Sequence, residues 1–351
     1  MYIIIAILIF GLIIAIHEFG HFIAAKAFGV GVPEFAIGMG PKLLKKQGKE
    51  TLYTLRAIPM GGFCALDGDD NEVQGEKSLF AKPLWKRLVI FLAGSTMNIV
   101  AGFLILLAMT STLSTLPTTT LEGFAPGFEH EGPEGLMVGD TIHSIDGLRV
   151  YQANNIGMFL QLSVGDTVDM VVIRDGARVS LLGLPLEPRV FPGSDDPRFG
   201  LDLARNEAPT PLDRIAFAAR DTQDFMRQLP LTFRMFATGQ AGIGDVSSVV
   251  GIVDVMNTAG QEAQSAADTL WVMAFLMALI SISVAMVNLL PIPGLDGGRI
   301  FLMVVTTAIE RITRKKVNPN IENYINTAGM VLLFGFMIFI MFNDIVRIVT
   351  R

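Results

Sequence analysis

Four apolar runs divide the chain: Tyr2 to about Ala27, Leu84 to about Leu113, about Leu270 to Leu290, and about Ile325 to Ile348. Each approaches or exceeds the roughly 20 residues that a helix needs to cross a hydrocarbon core about 30 Å thick, so the pattern predicts four membrane spans. Four spans put both termini on one side. The two loops that would emerge on the other side are basic. The first carries Lys26, Lys42, Lys45, Lys46, Lys49, Arg56, Lys77, Lys82, Lys86 and Arg87, and the second Arg299, Arg311, Arg314, Lys315 and Lys316. The bias of Lys and Arg toward the cytoplasm puts both loops inside and both termini outside. The stretch from Ser114 to Asp268 is acidic, in keeping with an extracytoplasmic position.

The polar stretches have structure of their own. In the first basic loop, Phe35 to Gly40, Thr51 to Ile58 and Pro59 to Leu66 are Gly-rich, β-prone and too apolar for a solvated loop. They fit a small hairpin or sheet dipping toward the membrane beside the first span. Such backbone is tolerated at depth only where protein or a water-filled cavity covers it. A small cytoplasmic β-domain fits the composition equally well. Outside, about Thr118 to Glu187 reads as a compact α+β module. It has a Gly135 to Gly147 segment (G-L-M-V-G-D-T-I-H-S-I-D-G), an amphipathic stretch at Ala153 to Leu162, a strand at Val168 to Arg174, a turn at Asp175-Gly176 and a closing strand at Arg178 to Leu184. A Pro/Gly/Asp linker follows at Val190 to Pro197. Pro211 to about Gly239 then reads as an amphipathic helix interrupted at Pro230 and lying on the membrane or protein surface.

The expected fold is thus a polytopic α-helical membrane protein of about four transmembrane helices, with a membrane-associated β-hairpin segment and an inserted extracytoplasmic α+β domain. Its expected divisions are 1–27 for the first span, 28–83 for the β segment, 84–115 for the second span and 118–188 for the α+β domain. Residues 189–267 follow as linker and amphipathic helices, 268–298 as the third span, 299–320 as a cytoplasmic amphipathic helix and loop, and 321–351 as the fourth span.

Composition agrees: of 351 residues, 51% are hydrophobic and 17% charged, the balance of a membrane protein with a soluble part. The first apolar run lacks a basic leader and a small-residue cleavage site, so it is expected to stay as a span. Cys64 is the only cysteine, which excludes an intramolecular disulfide and a cysteine-built zinc site. The expected surroundings are a lipid bilayer, with no nucleic acid.

The candidate chemistry lies inside the first span, at Ile13 to Lys26 (I-I-A-I-H-E-F-G-H-F-I-A-A-K). Ionisable groups at that depth cost several kcal/mol, so something must offset them. His17 and His21, at i and i+4, share one helical face, with Glu18 beside them. Two neutral imidazoles at this spacing can bind one zinc ion, Zn²⁺, while a carboxylate off the metal takes a proton from water. Two histidines packed between helices are the plainer alternative. Ile3 to His17 spans roughly 21 Å at about 1.5 Å per residue, which puts the pair toward the cytoplasmic side. A second polar group stands at the end of the third run, in N-L-L-P-I-P-G-L-D-G-G-R (Asn288 to Arg299). Two prolines break the helix there, and two glycines after Asp296 allow a tight turn. A catalytic zinc takes three protein ligands, and Asp296 is the natural third. Alternatively it caps the amphipathic helix that follows. Asn288, one turn before the prolines, suits a hydrogen bond to an extended peptide.

Taken together, H-E-F-G-H in the first span, the Gly-rich I-P-M-G-G-F segment, the G-L-M-V-G-D-T-I-H-S-I-D-G module and N-L-L-P-I-P-G-L-D-G-G-R resemble the site-2 protease family, and within it the bacterial RseP/RasP-type intramembrane zinc metalloproteases. The resemblance covers essentially the whole chain. It implies that the α+β module is a PDZ domain, that His17, His21 and Asp296 are zinc ligands, that Glu18 is the catalytic base and that Asn288 contacts substrate. The strand edge around Gly61 and Gly62 is expected to pair with an unwound substrate. Implied substrates are single-pass transmembrane proteins, such as anti-sigma factors already shortened outside, or remnant signal peptides. The chain departs from the family at G-S-T-M-N (Gly94 to Asn98), where Gly-Pro is common before the asparagine. A metal transporter or receptor could use the same ligands but needs no general base, and a silent scaffold would use the module alone. The module, outside by charge, is expected to screen or recruit substrates and to take no part in chemistry.

Overall fold

The computed structural model describes residues 2–68, 75–163, 165–192, 196–242, 246, 248–262, 265–315, 317 and 319–349. Lys316 and part of the Val190–Pro197 linker lie outside the described residues. The chain forms two compact units, Met1–Leu106 with Phe225–Arg351, and Leu107–Asp224.

The first unit is built on long apolar helices. Helix α1 (Tyr2–Ala27) is apolar on almost every side, as a buried or lipid-facing helix must be. Helix α2 (Leu84–Thr112) starts directly after Pro83. Among the described residues, four helices contain stretches long and apolar enough to cross a membrane: Ile3–Ala27, Leu84–Thr112, Ala266–Asn288 and Tyr324–Arg347. The protein is a multi-pass membrane protein. Side chains such as Ile4, Leu8, Leu332 and Phe342 are more than half exposed, a surface suited to lipid rather than water.

Helix α3 (Ala153–Leu162) belongs to the second unit, and α4 (Pro211–Ala237) and α5 (Val249–Glu262) follow it in the chain. Helix α6 (Ala266–Asn288) is capped by Ser265, whose hydroxyl accepts the Asp268 N–H at 3.1 Å. It stops at Asn288, just before Pro291 and Pro293, and the chain restarts as α7 (Asp296–Thr313) and then α8 (Pro319–Val349). Among the described residues, two apolar clusters organise this unit. One gathers Ala24, Ala25, Val30, Leu79, Ile90, Phe91 and Met303, and the other Ala6, Phe10, Ile13, Met256, Met273 and Ile280. On α1 they leave a level between them, residues 14 to 23, and the polar residues sit there.

Strands β1 (Glu34–Gln47) and β2 (Leu52–Cys64) form a two-stranded sheet. Both are long enough to fold back: Glu34 to Ile37 pair with Leu52 to Leu55 in the parallel sense, Phe35 to Ile37 pair again with Gly62 to Cys64, and Lys42 to Gln47 pair with Leu52 to Arg56 in the opposite sense. β2 runs against α1. A Cβ on Gly11 would lie 2.2 Å from the carbonyl oxygen of Pro59, so only glycine admits the strand there. Gly11 is sixteen residues from the end of α1 at Ala27, about 24 Å along the helix.

The second unit carries a six-stranded antiparallel sheet made of β3 (Leu116–Phe124), β4 (Thr141–Ile145), β5 (Leu148–Arg149), β6 (Val168–Arg174), β7 (Ala177–Leu184) and β8 (Leu201–Asn206). The order is β7-β6-β4-β3-β8, with β5 paired to β4. Asp175 and Gly176 join β6 to β7 with φ of 51° and 80°, the positive values of a tight hairpin. Leu121, Ile142, Ile145, Phe159, Met170 and Val172 fill its core. Asp140, fully buried, accepts Arg174 Nε at 2.8 Å and Nη2 at 2.7 Å through its two oxygens, which ties the Gly135–Asp140 turn to the sheet.

Two expectations need correction here. Strand β8 lies in the stretch read as linker, yet it pairs with β3 from Leu116↔Asn206 to Phe124↔Leu201, so the sheet extends past residue 188. Its six residues follow a Pro/Gly/Asp run and have a partner far back in the sequence, which local pattern does not reveal. Pro230 does not interrupt α4 either. A single proline removes one N–H from the helix ladder, and the turns on each side continue.

Candidate metal centre

His17 and His21 project from one face of α1 into the level between the two apolar clusters, and both are buried. The break after α6 brings a third group to them. Asp296, the first residue of α7, puts Oδ2 3.0 Å from His17 Nε2 and 3.2 Å from His21 Nε2, while the two Nε2 atoms are 3.1 Å apart. Asp296 does not cap its helix: Leu295 occupies that position, without a side-chain cap bond. The two glycines that follow act by closeness. A Cβ on Gly297 would lie 2.3 Å from Leu289 O, and one on Gly298 2.1 Å from Ile292 O, so α7 can begin tight against the broken end of α6. Neither of them has a positive φ, which occurs just before, at Gly294, with φ 97°.

The donor set fits zinc. His21 Nδ1 lies 2.8 Å from Ile90 O, and a carbonyl only accepts, so Nδ1 carries the proton and Nε2 presents a lone pair. That lone pair, its counterpart on His17 and a carboxylate oxygen converge at one point, an arrangement that a cation stabilises. Ligands about 2.0–2.1 Å from a tetrahedral zinc are about 3.3 Å apart, close to the three edges found. His17, His21 and Asp296 are the cluster of three metal-capable side chains among the described residues.

Glu18 stands outside this triangle. Its Oε2 accepts the backbone N–H of Cys64 at 2.8 Å, so the end of β2 holds it. A cavity of about 230 Å³ is lined by Ile14, His17, Glu18, Val284, Asn288, Gly294, Leu295 and Asp296. Asn288 and Glu18 therefore face the same space as the triangle. Gly61 and Gly62 lie in β2 and do not line it. A Cβ on Gly62 would come 3.6 Å from Glu18 Cγ and 2.9 Å from Ala36 O, and one on Gly61 would meet the Met39 side chain at 2.7 Å.

Three contributors were not among the expected site residues: the Ile90 carbonyl, the Cys64 N–H and Gly94. On α2, a Cβ at Gly94 would fall 2.4 Å from His21 Nε2 and 2.8 Å from His17 Cε1. The helix can press against the imidazoles only because this residue has no side chain.

The sequence profile of peptidase family M50 matches residues 5–336. A Clostridium perfringens protein provisionally named a zinc metalloprotease is 36% identical over 349 residues, covering 99% of each chain. A Clostridium acetobutylicum protein with the same kind of name is 34% identical, covering 98% of this chain and 97% of its own. A third, from a Nostoc species, is 29% identical, covering 90% and 88%.

Proposed function

The chain belongs to peptidase family M50, the site-2 type of zinc metalloprotease, and from that premise we propose that it cuts peptide bonds within membrane-spanning segments, using a single centre of His17, His21, Asp296 and Glu18. The observation that carries this reading is the separation of roles. Two imidazoles and one carboxylate share a triangle, while a second carboxylate on the same cavity is tied by β2 and kept out of it. A transport or storage site would have no use for the second.

His17 Nε2, His21 Nε2 and Asp296 Oδ2 would hold one zinc ion. Bound there, zinc would supply Lewis-acid polarisation of the scissile carbonyl and acidify a water to a pKa of about 7. Glu18 takes the proton of the attacking water and returns it to the leaving amine. Asn288, on the cavity wall, hydrogen-bonds the extended substrate. A helical substrate has its carbonyls occupied and shielded, so it must unwind first. Pairing with the β2 edge around Gly61 and Gly62 replaces the hydrogen bonds it gives up. The approach of Pro59 to Gly11 supports a sheet that enters the bilayer beside α1.

The resemblance and the charge pattern extend the reading. Both termini and the second unit, taken as a PDZ domain, are extracytoplasmic in the cell membrane, and the centre lies toward the cytoplasmic face. Substrates are single-pass membrane proteins, pre-trimmed anti-sigma factors or remnant signal peptides, cut in regulated intramembrane proteolysis and selected through the outer unit. The test combines zinc analysis of the purified chain with cleavage of a transmembrane reporter. Glu18→Gln should retain zinc and lose cleavage by about 10²–10⁴-fold. Wild-type turnover in this variant would remove Glu18 from the chemistry.

A further inference from the structure

The two imidazoles differ in how their second nitrogen is served. His21 Nδ1 donates to Ile90 O, whereas His17 Nδ1 is buried with no hydrogen-bond partner among the described residues. A ligating imidazole ordinarily gives its other N–H to an acceptor, which fixes its tautomer and its ring plane. In an apolar interior, leaving that N–H bare is unfavourable.

The matching group is on α2. Asn98 is 0% exposed, and neither its Oδ1 nor its Nδ2 has a hydrogen-bond partner among the described residues. It lies four residues after Gly94, hence on the same helical face. Gly94 is where α2 touches the imidazoles, and His17 Cε1, bonded to Nδ1, would be 2.8 Å from a Cβ there. α1 and α2 run antiparallel: Ile90 meets His21, and one turn later Gly94 meets both histidines. The next turn of α2, with Asn98, therefore comes level with His17 and the turn before it. Ser281 Oγ on α6 donates to Asn98 O at 2.9 Å, which anchors the backbone of that turn. Ser95, whose buried Oγ also has no hydrogen-bond partner among the described residues, is 100° round the helix from Gly94 and off the ligand face.

We propose that the Asn98 carboxamide oxygen accepts the Nδ1–H of His17 in the metal-loaded centre, which makes Asn98 a positioning residue that does for His17 what the Ile90 carbonyl does for His21. The inference rests on the reading of His17, His21 and Asp296 as ligands.

The experiment uses the full chain in detergent micelles, with zinc affinity measured by chelator competition and the ligand field read from the absorption of the cobalt-substituted protein. Asn98→Leu, close in volume but unable to accept, should weaken zinc about 10–100-fold, alter the cobalt spectrum, and lower kcat with KM unchanged. Asn98→Asp, which keeps an acceptor, should restore zinc affinity to the wild-type value or better. Wild-type affinity in Asn98→Leu, or an Asn98→Asp as weak as Asn98→Leu, overturns the proposal. If Asn98→Leu does not fold, nitrogen-15 NMR of the zinc-loaded wild type decides. The Nδ1–H signal lost in His17→Ala must be protected from water exchange and must shift in Asn98→Asp, and an unprotected or unshifted signal overturns the proposal. A wild type that binds no zinc, or a His17→Ala that binds it fully, overturns the ligand reading instead. Zinc binding that is lost in His17→Ala and untouched in Asn98→Leu overturns only the role of Asn98.

Discussion

Replacing Gly94 by alanine adds one methyl group, and two physical effects predict opposite outcomes. Helix propensity favours the change by about 1 kcal/mol, since glycine is the costlier residue in a helix interior. Packing opposes it. The new Cβ would stand 2.4 Å from His21 Nε2, 2.7 Å from His21 Cε1 and 2.8 Å from His17 Cε1, where carbon contacts settle at about 3.5–4.0 Å. The shortfall is about 1 Å, and relief requires either α2 to retreat or the imidazoles to turn. A retreat of that size stretches the 2.8 Å contact between His21 Nδ1 and Ile90 O to about 3.8 Å, beyond hydrogen bonding. A turn of the rings takes Nε2 out of the triangle with Asp296, whose geometry tolerates about 0.2 Å. Displacements near 1 Å at a reacting centre cost about 100-fold in rate, so packing wins. Gly94→Ala should bind zinc about 10–100-fold more weakly and cleave a transmembrane reporter at least about 100-fold more slowly, while the chain stays folded. Gly335→Ala on α8, where a Cβ would meet nothing within 4 Å, is the control and should be silent. Zinc affinity and turnover at wild-type level in Gly94→Ala would refute the account of how α2 supports the centre.

Asp296→Asn keeps the shape and removes the charge that closes the triangle. It should weaken zinc and nearly abolish cleavage, whereas full affinity with full activity would return Asp296 to a structural role. Burial pushes the Asp221 carboxyl on α4 up to about 7, with the neighbouring Asp224 adding to the rise and the hydrogen bond from Gln152 opposing it. An unfolded aspartate titrates near 3.9, so between about pH 4 and 7 the unfolded state holds fewer protons than the folded one, and stability falls as pH rises through that window. The total is at most on the order of 4 kcal/mol, and it levels off above about pH 7. Asp221→Asn should flatten the slope in thermal melts taken from pH 4 to 8, and an unchanged slope would contradict the assignment.

What could be read from the sequence was what side chains and periodicity encode. His17 and His21 share a face because i and i+4 do so on any helix, and the prolines near Asp296 announce a broken helix end at the same depth. The geometry adds that these three side chains meet within hydrogen-bond distances. What stayed hidden depends on backbone atoms and on contacts made only after packing. The Cys64 N–H that holds Glu18 and the Ile90 carbonyl that orients His21 belong to groups that every non-proline residue carries, so no residue type advertises them. Gly94 is a further case. Glycine in a helix interior is a weak signal by itself, and its reason appears only when the imidazoles of α1 are found against it. The same limit explains β8, whose partner β3 lies more than seventy residues earlier in the chain. Local pattern can nominate the groups that do chemistry. The distances that let them do it come from helices and strands far apart in sequence, and here β2 and α2 supply them from opposite sides of α1.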